Sequence, residues 1–170
     1  SLFGVDDAVR SGRKAVVILG PYEHHSNILP WRESGAEVVE IAEAPTGGPD
    51  LAGLEAALLE AGPGALTVGA FSAASNVTGI VTDVDAVTRL LKRHGALAVW
   101  DYAGGGPYLP IDMAPGGDAT KDAVVVSPHK FVGGPGASGV MIVRQAAVAR
   151  TTPVQAGGGT VRFVSPSAHT

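Results

Sequence analysis

The sequence predicts an α/β domain built on a mostly parallel sheet flanked by helices. Three observations carry that prediction. Short apolar runs rich in Val and Ile recur along the chain. Helical stripes stand between several of them, a βαβ rhythm. The apolar runs are continuous rather than alternating, as in strands buried on both faces of a covered sheet.

The elements follow in order. Ala15–Leu19 (AVVIL) reads as the first buried strand and Glu37–Ile41 (EVVEI) as a second, shorter one. Asp50 then caps a helix with Leu51, Leu54 and Leu58 on one face, stopped by Gly62-Pro63. Ala65–Phe71 (ALTVGAF) is a strand, followed by the loop SAASNVTG. Asp83–His94 is the strongest helix: Val84, Val87, Leu90 and Leu91 form its stripe. Lys92, Arg93 and His94 suit the negative end of its dipole, and Gly95 ends it. Leu97–Asp101 (LAVWD) is a strand that opens into a Gly-rich loop. Asp122–Ser127 and Gly139–Arg144 are strands on either side of a tight Pro/Gly turn, and the tail from Thr151 is rich in Gly, Pro and Ser.

Composition narrows the function. The chain has 170 residues, enough for one domain with a real core. Only 16% are charged and the mean hydropathy is +0.23, which excludes intrinsic disorder. Lys and Arg number 12 against 16 Asp and Glu, a balance that argues against a general nucleic-acid binder. No apolar run reaches the length of a membrane-spanning helix, so no membrane partner is expected. No export signal is visible at the start, which leans toward a cytoplasmic location. Cys is absent, so a thiolate metal site is excluded. His24 and His25 are sequence neighbours that point apart, and no third ligand stands at helical spacing, so no metal site is expected.

In parallel sheets, ligands gather at the carboxyl ends of the strands. Here those ends carry Glu23-His24-His25, then Ser75-Asn76, then Asp101, then Ser127 with His129 and Lys130. A Lys that forms a Schiff base and an acid that keeps a pyridine nitrogen protonated are together what pyridoxal 5'-phosphate (PLP) requires. His24 suits stacking on the ring, Asn76 the ring hydroxyl, and Ser127 with His129 the phosphate. GGPG is not a phosphate-binding P-loop, since no Gly-Lys-Ser/Thr follows, and reads as a turn bringing the chain close to the lysine.

Four segments carry a family resemblance: EHHSNILPW (residues 23–31), SNVTG (75–79), DYAGGGPYLPIDM (101–113) and SPHKFVGGPGASG (127–139). With them the chain resembles the class V, fold-type I PLP-dependent enzymes, the aminotransferase-like family that includes cysteine desulfurases and selenocysteine lyases. The resemblance implies that Lys130 is the Schiff-base lysine and proton shuttle, and that Asp101 pairs with the pyridinium nitrogen. It implies that His24 stacks on the ring and assists acid–base steps, that Asn76 contacts the ring hydroxyl or substrate, and that Ser127 and His129 bind phosphate. Thr160, in a Gly-rich segment, lies by the same resemblance near a partner subunit's phosphate. A homodimer and an amino-acid substrate are implied with it. Relatives often have Gln at the position of Gly104, so their usual contact to the ring oxygen is not expected here. The resemblance places residues 1–170 in the central part of the PLP-binding large domain, with a phosphate loop expected upstream, and a substrate-binding Arg and small domain downstream. On that reading the 170 residues alone are expected to turn over little. The alternatives are an aminotransferase of another class V subfamily, and a module that binds cofactor or dimerises without turnover.

Overall fold

A computed structural model describes residues 1–150. Six strands form one sheet: β1 (Ala15–Leu19), β2 (Glu37–Glu40), β3 (Leu66–Ser72), β4 (Leu97–Asp101), β5 (Ala123–Val126) and β6 (Val140–Val143). Their order is β2-β1-β3-β4-β5-β6, and every neighbouring pair is parallel except β5 with β6. The mostly parallel α/β sheet read from the sequence is therefore what the chain forms.

The continuous apolar runs work as expected in the centre. All five residues of β1 are buried. Val16 and Ile18 point into one core, Val17 and Leu19 into the other. A strand with a core on each side has no polar face to show, so alternation disappears. The expectation fails at the two outer strands. β2 is only half-buried, and Val140, Met141 and Ile142 of β6 are each 44% exposed. β6 also reverses direction. Residues 127–139 hold one short 3₁₀ turn and no crossover helix, and without a crossover the chain returns antiparallel.

The helices are α1 (Val5–Arg10), α2 (Leu29–Arg32), α3 (Leu51–Ala61) and α4 (Val84–Arg93). The first two were not anticipated, being too short for a periodic stripe to stand out. Asp50 caps α3, its carboxylate accepting from Ala52 N at 3.1 Å. Asp83 caps α4 in the same way, from Ala86 N at 2.9 Å, so it precedes the helix instead of belonging to it. Leu54 and Leu58 are buried, but Leu51 is not. It stands in the first turn, at the mouth of an open groove between α3 and α4. In α4 the buried stripe of Val87, Leu90 and Leu91 also contains Thr88. The Thr88 hydroxyl accepts from Trp100 Nε1 at 2.9 Å, which satisfies the donor of a fully buried indole.

At the amino-terminal end of β5 sits Asp122, 2% exposed. Its Oδ2 accepts from Lys92 Nζ at 2.6 Å and Ala98 N at 2.8 Å, and its Oδ1 from Arg144 at 3.1 Å. One carboxylate thus ties α4, β4 and the end of β6 to β5. The site lies at the opposite ends of these strands.

Candidate active site

β1, β3, β4 and β5 run parallel, so their carboxyl ends share one edge. A cleft of about 380 Å³ opens there, and His24, Asn76, Asp101, Ser127, His129 and Lys130 all line it. Six of the seven residues singled out from the sequence are therefore brought together. Thr160 lies outside the described residues. A larger groove of about 790 Å³ lies between α3 and α4 and holds none of the six. Among the described residues, no group of three or more His, Asp or Glu side chains is arranged to hold a metal ion.

Each side chain is placed by local chemistry. Asp101 ends β4, and its Oδ1 accepts from Ala103 N at 2.7 Å, bending the chain into the Gly-rich loop. This is the ordinary turn role of Asp, and it engages one carboxylate oxygen. Among the described residues the other oxygen accepts no hydrogen bond. Asn76 rides on a turn held by Ser75, whose Oγ accepts from Val77 N and Thr78 N at 3.3 and 3.1 Å. Gly79 closes that turn at φ +74°. His129 and Lys130 occupy a 3₁₀ turn (Pro128–Lys130) closed by Lys130 N donating to Ser127 O at 2.9 Å. Gly134 packs against this turn so closely that a Cβ there would overlap the Pro128 carbonyl oxygen. The GGPG segment does bring the chain against the lysine's turn.

His24 accepts from Ser26 N through Nδ1 at 3.2 Å. The preceding residue, Glu23, was quoted in the sequence motif without a role, and the structure supplies one. Its carboxylate accepts from Ser72 N at 2.7 Å, Ser72 Oγ at 2.8 Å and Asn27 Nδ2 at 2.6 Å. Asn27 in turn accepts from Trp31 Nε1 at 3.1 Å. Glu23 therefore fastens the loop carrying His24 to the end of β3. The available signal was a lone acid four residues after a buried strand and just before His-His. Ser26, Ser72 and Gly104 also line the cleft.

Burial pushes the Glu23 carboxyl above its ordinary value of 4.5; hydrogen bonds from Asn27 and Ser72 oppose the shift, and the nearby Asp101 charge adds to it. A raised folded-state pKa means that the folded chain holds this proton more tightly than the unfolded one. The resulting stabilisation is fully present below pH 4.5 and is lost as pH rises through the raised value. Glu23→Gln cannot ionise and lacks this dependence. Urea unfolding should find wild type at its most favourable, relative to the variant, at acid pH. The difference should move in the variant's favour toward pH 7. A difference independent of pH would show that no burial cost attaches to the Glu23 charge.

The family model for aminotransferase class-V matches residues 4–170. A probable cysteine desulfurase of Aeropyrum pernix is 35% identical over 156 residues, covering 89% of this chain and 36% of that protein. One from Halalkalibacterium halodurans is 30% identical over 152 residues, with 87% and 36% covered. Among solved structures, the apo cysteine desulfurase of Thermococcus onnurineus superposes with a TM-score of 0.76 at 27% identity, over 93% of this chain and 38% of that one. The chain thus spans little more than a third of the length of each of these relatives. With the match covering nearly all of its residues, the chain belongs to the aminotransferase class-V family.

Proposed function

We propose that this chain forms the cofactor-binding face of a PLP-dependent enzyme that acts on an amino acid through Lys130, most like a cysteine desulfurase or selenocysteine lyase. The observation that carries the reading is the single cleft at the strand ends into which Lys130, Asp101, His24, Asn76, Ser127 and His129 all open. The donor set fits the cofactor. An amine matches an aldehyde, a carboxylate with one uncommitted oxygen matches a basic ring nitrogen, and an imidazole plane matches an aromatic face. A hydroxyl beside an imidazole matches a phosphate.

When bound, PLP supplies an electron sink for the carbanion at the substrate's α-carbon. The chain supplies the rest. Lys130 Nζ anchors the cofactor and moves the proton at the α-carbon. Asp101 holds a proton at the ring nitrogen. The imidazole of His24 would stack on the ring, its loop held to the end of β3 by Glu23. Asn76 donates to the ring hydroxyl, and Ser127 and His129 hold the phosphate, with Thr160 assigned to a partner subunit's phosphate in a homodimer. Residues 1–170 are the central part of the large domain on this reading, and the relatives' additional length carries the phosphate loop and the carboxylate-binding arginine.

Reduction of the PLP-treated protein with borohydride tests the assignment. Peptide mapping should find the pyridoxyl group on Lys130. Attachment to Lys14, Lys92 or Lys121 instead would remove Lys130 from its role.

A further inference from the structure

Three consecutive glycines follow Asp101, and they are not equivalent. A Cβ at Gly105 would lie 2.8 Å from Leu109 Cδ1, and one at Gly106 would lie 2.8 Å from the Tyr102 carbonyl oxygen. The same carbonyl accepts from Gly106 N at 2.6 Å, so a side chain at 106 would meet fixed backbone, whereas one at 105 would require the end of the Leu109 side chain to turn aside. Gly104 differs. A Cβ there would meet nothing nearer than Asn76 Cβ at 3.7 Å and Ala74 O at 3.9 Å, which is ordinary van der Waals contact. Its φ also lies outside the left-handed region. Neither crowding nor backbone conformation requires glycine at 104, although glycine carries an entropic cost on folding.

The position of Gly104 supplies the reason. It lines the 380 Å³ cleft and also an adjoining cavity of about 430 Å³. Ala74, Asn76 and Lys130 line both, so Gly104 lies in the wall the two share. The second cavity is an open depression lined by the half-buried Leu109 and by Val81 and Tyr108, 55% and 84% exposed, and among the described residues Lys130 is the one charged residue lining it. An apolar hollow that meets a polar cleft at the reactive amine has the form of a side-chain subsite. We propose that this second cavity receives the side chain of the amino-acid substrate, that Gly104 keeps the shared wall open for it, and that the substrate carries an apolar side chain larger than that of cysteine, which selects the alternative of an aminotransferase of another class V subfamily over a desulfurase. The inference rests on the PLP reading above.

The test measures the ratio of affinities for L-leucine and L-alanine, from the change each causes in the visible spectrum of the PLP-loaded protein. Gly104→Leu should lower that ratio about tenfold or more, the usual scale for lost space in an apolar pocket. Gly104→Ala, which needs no rearrangement, should lower it less, and serves if the larger substitution does not fold. An unchanged ratio in both variants overturns the proposal. A second arm needs no cofactor. In the PLP-free protein, 4-methylpentanoate should shift the amide resonances of Gly79 and Gly105, and Gly104→Leu should abolish the shifts. Absence of shifts in wild type overturns the proposal whatever PLP does. If PLP gives no visible band, the PLP reading fails by itself, and shifts that Gly104→Leu abolishes still support the cavity as the apolar subsite.

Discussion

Lys130→Ala is expected to abolish the visible absorption of lysine-bound PLP and, in the whole protein, to lower amino-acid turnover by about 10²–10⁴-fold through lost proton transfer alone. The side chain is exposed at the cleft and sits on a turn held by backbone hydrogen bonds, so its removal touches no packed core. Stability should therefore change by no more than about 0.5 kcal/mol. The pairing of a lost band with an unchanged unfolding midpoint is what distinguishes a reacting lysine from a structural one. Spectra and urea titrations on the same preparations measure both. A band that persists in the variant would show that the aldehyde is held elsewhere.

Asp122→Ala should do the reverse. It leaves Lys92, Arg144 and the Ala98 amide without their shared acceptor, beneath a residue that is 2% exposed. Breaking a buried pair from one side costs about 3–5 kcal/mol. Lys92 and Arg144 keep 26% and 39% of their side-chain surface in water, so the lower end of that range applies. A loss of about 3 kcal/mol is a large part of the 5–15 kcal/mol typical of a domain. Asp122→Asn still offers an acceptor to Ala98 and should lose less. Protein that does fold should keep its PLP band, since the site is at the other ends of the strands. An unfolding free energy within about 1 kcal/mol of wild type would mean that the network contributes little.

The sequence exposed the fold wherever burial dictated composition. β1, β3 and β4 could be read because a strand between two cores has no polar face. The direction of β6 could not, because that depends on the missing crossover rather than on any residue within the strand. Leu51 was misplaced for a related reason: periodicity gives the face of a helix, not where its partner ends. The cleft was legible because chemistry-bearing residues repeated at successive strand ends. Glu23 remained unassigned because its partners, Ser72 and Asn27, are ordinary polar residues, one of them 49 positions away in the chain. Gly104 stood out only by resemblance, and its difference from Gly105 and Gly106 needed coordinates.

The glycine run also bears on how such a protein can change over generations. A side chain at 106 collides with the fixed Tyr102 carbonyl, while one at 105 requires Leu109 to repack. A Cβ at 104 meets only loose contacts and leaves the sheet's hydrogen-bonded ladder untouched. A small side chain can therefore be sampled at that one position in a folded background without extra stability first being acquired.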